Sequence, residues 1–147
     1  MDTTQERYPK ETLSIRVDNG TMPENVEKLE SALIGRKIKA AAYGLVEEGY
    51  SRRAMVILLD DGTEVELYDT NDCCAYTALE SFLLNAEKID HMILGVGTTD
   101  KYDTWHIFAD FGDVMEMKVG WSCGNPFYYG YGFDIRVKKP EQADQVA

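Results

Sequence analysis

The spacing of apolar positions divides the chain into a helical stretch followed by a long β-rich region. Val26, Leu29 and Leu33 recur at intervals of three and four residues, which predicts an amphipathic helix. The stretch Thr21–Glu24 has the spacing of a capping box, whose first and fourth side chains satisfy free backbone N–H groups. Gly35 is a typical C-terminal stop. The sequence therefore predicts a first helix between these two signals.

From residue 37 onward the period of apolar positions becomes two, which is typical of half-buried strands. The turns Asp60–Gly62 and Phe111–Asp113 contain the glycine that tight hairpins favour. Thr12–Val17 alternates in the same way and predicts a short additional strand near the start. The main predicted strands are Lys37–Glu47, Arg52–Leu59, Thr63–Tyr68, Ile89–Val96, Thr104–Asp110, Val114–Trp121 and Phe133–Lys138.

A second short helix is predicted after residue 76. Thr77–Glu80 repeats the capping-box pattern. Leu79, Phe82 and Leu83 would form the buried side of this helix, and Asn85 would end it. Two helices are therefore expected beside the strands.

These elements predict an α+β fold in which a predominantly antiparallel sheet of about seven strands is curled or folded around a helix. Short connections favour antiparallel pairing, because parallel neighbours need long crossovers. Residues 12–138 are predicted to form a single globular domain with flexible tails at 1–11 and 139–147, and 69–76 and 97–103 are predicted loops. The predicted core residues are Leu29, Leu33, Val56, Leu58, Val65, Leu67, Phe82, Ile93, Trp105, Ile107 and Val119.

Charge and composition narrow the classes of function. The 147 residues carry a formal net charge of -11, and residues 60–134 contain fifteen acids against three lysines. Such a region repels phosphate backbones, so we predict no direct binding of nucleic acid. Every apolar run is too short to span a membrane, and the polar N-terminus predicts no secretory signal. Three cysteines, an odd number, fit a reducing compartment better than a disulfide framework.

Asp72–Cys74 is the most unusual local motif. Zinc sites usually pair cysteines separated by two to four residues, whereas adjacent cysteines point to opposite sides of an extended chain. Three interpretations stay open: a mixed metal site with Cys123, His91 or His106, a nucleophile pair of Cys73 with His106, and a structural role in the core. We favour the structural role and predict no metal and no cofactor.

The segment Trp121–Phe133 holds six aromatic residues in thirteen positions, together with several glycines. Aromatic side chains with polar tips anchor binding surfaces, because they bury a large area at a small cost in entropy. The rings either fill the core or form an exposed patch, and the second interpretation makes this segment a binding surface. The predicted binding residues are Trp121, Asn125, Phe127, Tyr128, Tyr129, Tyr131, Asp72 and Cys73.

A succession of short motifs adds a resemblance to a known family. The motifs are Leu33–Ile38, Asp60–Thr63, Asp72–Cys74, Thr104–Trp105, Val119–Trp121 and Asn125–Tyr129. Their order resembles a family of small domains of unknown function found in bacteriophages, including phages of actinobacteria, and in some bacteria. The similarity covers roughly residues 33–137, and Asp-Cys-Cys is its most specific mark. The resemblance implies a phage origin and action inside a bacterial host, and it brings no activity or site residue with it.

Together these observations predict a noncatalytic accessory protein that binds and modulates a host protein with a basic surface in the host cytoplasm. The sequence contains no P-loop, no Gly-x-Ser-x-Gly elbow and no HExxH helix. Two alternatives stay open: a module that sequesters a small molecule such as a nucleotide, and an enzyme or zinc protein that uses Cys73 or Cys74. A symmetric homo-oligomer is one arrangement that would cover exposed edge strands.

Overall fold

A computed structural model describes residues 8, 22–48, 50–71, 75–110, 112–122 and 132–140. This part of the chain contains one α-helix and nine β-strands in two antiparallel sheets. The predicted α+β class with mainly antiparallel strands is confirmed, whereas the predicted seven strands and two helices are not. The helix α1 is Met22–Leu33, and the strands are β1 (Ile38–Glu48), β2 (Tyr50–Leu59), β3 (Glu64–Tyr68), β4 (Thr70–Asn71), β5 (Tyr76–Leu84), β6 (Gly95–Thr99), β7 (Thr104–Ala109), β8 (Gly112–Ser122) and β9 (Asp134–Lys138).

The first sheet has the strand order β1-β2-β3-β9. The predicted turn Asp60–Gly62 joins β2 to β3, and Gly62 has a φ of 90°, which glycine adopts without a steric penalty. The Thr63 N–H donates to the Asp61 carboxylate over 3.0 Å and lowers the pKa of that group. Local turn chemistry therefore fixes the β2–β3 hairpin, as the sequence predicts.

The second sheet has the strand order β4-β5-β8-β7-β6, and β7 and β8 form the second predicted hairpin. The chain enters this sheet directly from the first, because only Asp69 separates β3 from β4. Asp69 accepts hydrogen bonds from the Tyr43 hydroxyl on β1 and from the Leu79 N–H on β5. This carboxylate thus connects the two sheets at the point where the chain passes from one to the other.

The core lies between the inner faces of the two sheets and α1. Register partners such as Met55 and Leu67 in the first sheet and Trp105 and Met117 in the second contribute side chains with no exposed area. The Trp105 ring meets the Phe133 ring edge to face, with centroids 5.5 Å apart. One hydrophobic cluster therefore includes residues of both sheets and the helix.

The helix α1, which confirms the first predicted helix, covers one side of this arrangement. It packs against β6 and β9, the edge strands of the two sheets on that side. The Asn25 side-chain amide accepts from the Phe133 N–H and donates to the Phe133 carbonyl, and Glu30 accepts from the Val96 N–H of β6 over 2.9 Å. No helix of the described residues is both long and apolar enough to cross a membrane.

The outer face of the first sheet holds an ordered group of charged side chains around Tyr68. The guanidinium groups of Arg52 and Arg136 lie over the Tyr68 ring at 4.5 and 4.7 Å, and both donate to the Asp134 carboxylate. Although partial burial opposes the shift, these hydrogen bonds lower the pKa of Asp134. The group explains why Tyr68, on an outer face, is only 1% exposed.

The structure corrects the predicted second helix, because residues 76–84 form strand β5. The register of β5 with β8 slips between Leu79 and Ser81, so Glu80 is an extra residue of a β-bulge. The bulge brings Leu79 and Phe82 to the same face, and their spacing of three imitates a helix. Leu83, predicted to be buried, is 70% exposed.

Two further predictions on strands are wrong in position. The predicted strand Ile89–Val96 is mostly turn and irregular backbone, and β6 begins at Gly95 and continues into the predicted loop. In β2 the predicted core residues Val56 and Leu58 are half-buried on the outer face. Their neighbours Met55, Ile57 and Leu59 are buried instead. A continuous apolar run does not reveal which face of a strand is inward, because only pairing sets this.

Several predicted segments lie outside the described residues. They include the strand Thr12–Val17 and most of the tails at 1–11 and 139–147. Within the first tail, Tyr8 is described and lies against the second sheet.

We predict that Asn25→Ala lowers the free energy of unfolding by about 2–4 kcal/mol, because it leaves both polar groups of the Phe133 backbone buried without this partner. Chemical denaturation measures the change. The control is Ser31→Ala on the exposed side of α1, which should change stability by less than about 0.5 kcal/mol. Equal effects of the two substitutions would show that the amide does not hold α1 in place.

A second prediction concerns Tyr43 and alkaline pH. Burial, and then the hydrogen bond to Asp69, raise the pKa of Tyr43 from 10.0 to about 12. The neutral phenol is therefore favoured in the folded state, and its contribution is complete below pH 10 and lost as pH rises through 12. Relative to Tyr43→Phe, the wild type should be about 1 kcal/mol more stable at neutral pH, and this advantage should shrink above pH 10.

Denaturation curves recorded between pH 7 and 12 check this prediction. Tyr76→Phe, which removes a phenol that is 45% exposed on β5, is expected to follow the wild-type curve. A stability difference between wild type and Tyr43→Phe that stays constant to pH 12 would contradict the assignment.

Candidate functional site

A row of four residues crosses the outer face of the second sheet. Gly97 on β6 is the register partner of His106 on β7, His106 is the partner of Glu116 on β8, and Glu116 is the partner of Leu83 on β5. The neighbours of His106 in β7, Trp105 and Ile107, belong to the core, so the imidazole lies on the opposite face. Cross-strand pairing therefore brings a histidine and a glutamate side by side.

A β-bulge adds an aspartate to this row. The register of β7 with β8 passes from Ile107–Met115 to Phe108–Asp113, so Val114 is the extra residue on β8. Without it, Asp113 and Glu116 would lie on opposite faces, because their spacing is odd. The Asn85 N–H donates to the Val114 carbonyl over 2.8 Å, so the carbonyl of the extra residue has a hydrogen-bond partner.

Hydrogen bonds join both ring nitrogens of His106 to neighbouring side chains. Nδ1 lies 2.7 Å from Oδ2 of Asp113, and Nε2 lies 2.8 Å from the hydroxyl of Thr99 at the end of β6. Asp113 accepts a further hydrogen bond from the Tyr8 hydroxyl on its other oxygen, at 2.7 Å. His106 itself is only 8% exposed. Both ring nitrogens of His106 and both carboxylate oxygens of Asp113 therefore have hydrogen-bond partners.

Tyr8 covers the imidazole from the solvent side. Its ring stacks on that of His106 with centroids 4.2 Å apart and planes 8° apart, and it meets Phe108 at a tilt. This position requires Gly97, because a Cβ there would lie 2.2 Å from the Cβ of Tyr8. The glycine is therefore needed at this point of β6 so that the Tyr8 ring can pack closely on the strand.

A second set of polar contacts continues along the same face. The Lys118 ammonium donates to the Thr104 hydroxyl over 3.1 Å and lies 3.3 Å from Glu116. Thr104 in turn donates to the carboxylate of Asp100. Polar side chains thus continue along the outer face of the second sheet. In this second set the carboxylates of Asp100 and Glu116 outnumber the one lysine.

An open groove of about 860 Å³ lies beside this group, at the end of the sheet where β5 stops and β8 begins. Part of its lining is apolar and includes the exposed Leu83. Three carboxylates, those of Glu87, Asp113 and Glu116, face one lysine among its lining residues. The lining residues are Tyr8, Leu83, Leu84, Asn85, Ala86, Glu87, Lys88, Gly112, Asp113, Met115 and Glu116.

Trp121, predicted as a binding residue, is half-buried at the other end of β8. Its indole N–H donates to the Lys101 carbonyl over 3.1 Å, and that of Trp105 donates to the Tyr102 carbonyl over 2.9 Å. These carbonyls belong to a turn, Asp100–Tyr102, whose three residues have φ between 57° and 66°. Left-handed backbone is unfavourable for such residues, so the two tryptophans stabilise a strained turn.

The other predicted binding residues, Asn125, Phe127, Tyr128, Tyr129, Tyr131, Asp72 and Cys73, lie outside the described residues. The residues that flank them meet at one corner. Tyr76 is the register partner of Ser122, and the Thr70 hydroxyl donates to the Gly132 carbonyl over 2.8 Å. Both ends of the aromatic segment therefore adjoin the strand ends that flank Asp72–Cys74.

Sequence reasoning missed the group around His106. It considered His106 only as a partner of cysteines and placed Asp113 in a turn, because the bulge that reorients Asp113 has no clear local signal. Within the described residues, His106, Asp113 and Glu116 form a set that could hold a metal ion, with ligand atoms all within 4.8 Å of one another. The carboxylates can also bind a cationic side chain, and the chain Asp113–His106–Thr99 can pass a proton.

Comparison with known proteins places the chain in a family. The model of a family described as Domain of unknown function (DUF7448) matches residues 31–135, and the chain belongs to that family. No curated protein matches the chain. No solved structure matches it either.

We predict that Gly97→Ala displaces Tyr8 and lowers the free energy of unfolding by about 1–3 kcal/mol, the usual cost of overpacking. In a Tyr8→Ala background the same substitution should cost almost nothing, because the clashing ring is absent. Denaturation of the four proteins of this double-mutant cycle gives the coupling energy directly. An equal loss in both backgrounds would mean that Tyr8 does not pack on Gly97.

Proposed function

We propose that this protein is a noncatalytic bacteriophage accessory protein that binds a basic surface of a host protein and thereby modulates it. The observation that carries the proposal is the groove beside Asp113 and Glu116, where three carboxylates and an exposed leucine face one lysine. A long cationic side chain fits these features, because its stem can pack on Leu83 while its head pairs with the carboxylates.

The charge of the chain supports the same kind of partner. Residues 60–134, which include the second sheet and every charged residue that lines the groove, contain fifteen acids against three lysines. An acidic surface accelerates the encounter with a basic protein and disfavours acidic competitors, including nucleic acid. Binding should therefore weaken and slow as the salt concentration rises.

The aromatic segment provides a second, separate contact in this proposal. The described part of the segment leaves β8 at Ser122, and the groove adjoins Gly112 at the other end of that strand, roughly 30 Å away. The phage origin and the host partner rest on the resemblance of the motifs, above all Asp72–Cys74. Separate substitutions in the groove and in the aromatic segment therefore test the two contacts one at a time.

The proposal predicts that Leu83→Ser/Glu87→Gln weakens binding to the host partner about tenfold or more, through loss of an apolar contact and of one charge pair. Proteins captured from a host lysate would be identified, purified and measured by surface plasmon resonance at two salt concentrations. The matched control is Leu45→Ser/Glu27→Gln. Leu45 on β1 is 67% exposed, a fraction similar to that of Leu83, and Glu27 is exposed on α1. The partner should keep its affinity for this control.

A variant Phe127→Ala/Tyr129→Ala tests the aromatic segment in the same assay. A partner whose affinity is equal for the wild type and the groove variant removes the groove from the proposal, whatever the aromatic variant does. If nucleotides raise the melting temperature of this chain in the absence of any partner protein, the alternative of a small-molecule module is favoured instead.

A further inference from the structure

We propose that His106, Asp113 and Glu116 form a binding site for a divalent transition-metal cation such as Zn²⁺ or Mn²⁺. The site adjoins the groove but does not depend on the proposed partner, because its donors and their supports belong to this chain. It provides one imidazole nitrogen and two carboxylates, a donor set that suits borderline divalent ions.

The donor atoms are already close to the spacing that an ion requires. They all lie within 4.8 Å of one another, and Nδ1 of His106 is 2.7 Å from Oδ2 of Asp113. Ligand atoms bonded to one ion at about 2.0–2.2 Å lie roughly 3–3.5 Å apart. Glu116 is the most exposed of the three donors, and it would exchange its ion pair with Lys118 for a bond to the metal ion.

The neighbours of these donors support ligation. Thr99 can accept the Nε2 proton of His106, which leaves the Nδ1 lone pair directed at the ion. Tyr8 donates to Oδ1 of Asp113, so Oδ2 is the oxygen that faces Nδ1 of His106. Such outer hydrogen bonds fix the tautomer and orientation of metal ligands in proteins. An ion between Nδ1 and Oδ2 would take the place of the hydrogen bond that joins these two atoms, and the imidazole proton would move to Nε2, where Thr99 accepts it, or to solvent.

The sheet holds the donors in place before any ion arrives. His106 and Glu116 are register partners on β7 and β8, and the bulge at Val114 brings Asp113 to their side. A bulge that reorients a side chain is a common feature next to functional sites. Because Asp113 and Glu116 also line the groove, a bound ion would have coordination positions open to solvent or to a ligand there.

The chain offers an internal control for this site. His91 and Asp110 form a second pair, with Nδ1 and Oδ1 3.0 Å apart, but this pair is more exposed and belongs to no group of three donors among the described residues. If any neighbouring histidine and aspartate sufficed, both pairs would bind metal alike. The proposal requires that only the pair with Glu116 does so.

The test uses the full chain, freed of metal with EDTA, and titrations with Mn²⁺ and Zn²⁺ followed by calorimetry, with water-proton relaxation as a second readout for Mn²⁺. Mn²⁺ discriminates against the cysteines, because thiolates prefer softer ions. The wild type should bind one equivalent. His106→Gln and Asp113→Asn should weaken binding about 100-fold, and Thr99→Val about tenfold through loss of an outer hydrogen bond.

His91→Gln should keep the wild-type affinity, and so should the groove variant Leu83→Ser/Glu87→Gln. Circular dichroism and thermal melts establish that each variant is folded, and Glu116→Gln, on the more exposed donor, replaces any buried variant that is not. Absence of saturable binding by the wild type, or equal affinity in wild type and Glu116→Gln, would overturn the site. Metal binding with no host partner would leave this proposal standing and the previous one without support.

Discussion

The antiparallel pairing of β7 with β8 is the interaction on which the rest of the described structure depends. On its inner face the pair places Trp105 and Met117 in the core, and on its outer face it places His106 beside Glu116. One register fixes both faces, since a shift by one residue would exchange them. The extra residue Val114 lets β8 keep its core contacts while Asp113 joins the outer face. Stability and the candidate site are therefore consequences of the same pairing.

The remaining elements hold the two sheets together around this pair. The helix α1 covers the edge strands β6 and β9, and the Asn25 amide joins it to the chain just before β9. Asp69 connects the sheets where the chain passes between them, and burial raises the pKa of this carboxyl against the hydrogen bonds from Tyr43 and Leu79. A polar group that is hydrogen-bonded between two elements favours the arrangement in which those bonds form, because other arrangements leave it without these partners.

Carboxylates on the outer face of the second sheet are the main charged groups of the candidate site. In the first sheet, arginines and a lysine accompany the acids: Arg52 and Arg136 pair with Asp134, and Lys138 pairs with Glu66. In the second sheet the groove has three carboxylates and one lysine. The ion pairs of the first outer face thus contain at least as many cations as carboxylates, whereas carboxylates outnumber lysines among the residues that line the groove. This asymmetry favours cations at that end of the molecule, whether they belong to a protein or are free ions.

Much of the fold follows from the sequence by itself. The spacing of Val26, Leu29 and Leu33 predicted α1, and the turn Asp60–Gly62 and the β7–β8 hairpin were predicted from period and turn chemistry, because these signals act between near neighbours in the chain. The prediction of a second helix was wrong, because the bulge at Glu80 gives the inward apolar residues of a strand the spacing that is typical of a helix.

Only the tertiary structure decided which residues meet at the candidate site. Tyr8 and Asp113 are 105 positions apart, and their contact exists because Gly97 leaves room for a ring above His106. Asp113 reaches the outer face through a bulge whose position depends on the core contacts of Met115 and on the partner strand. Periodicity reports the preferences of one strand, whereas pairing between strands decides which face each side chain occupies and what it touches there.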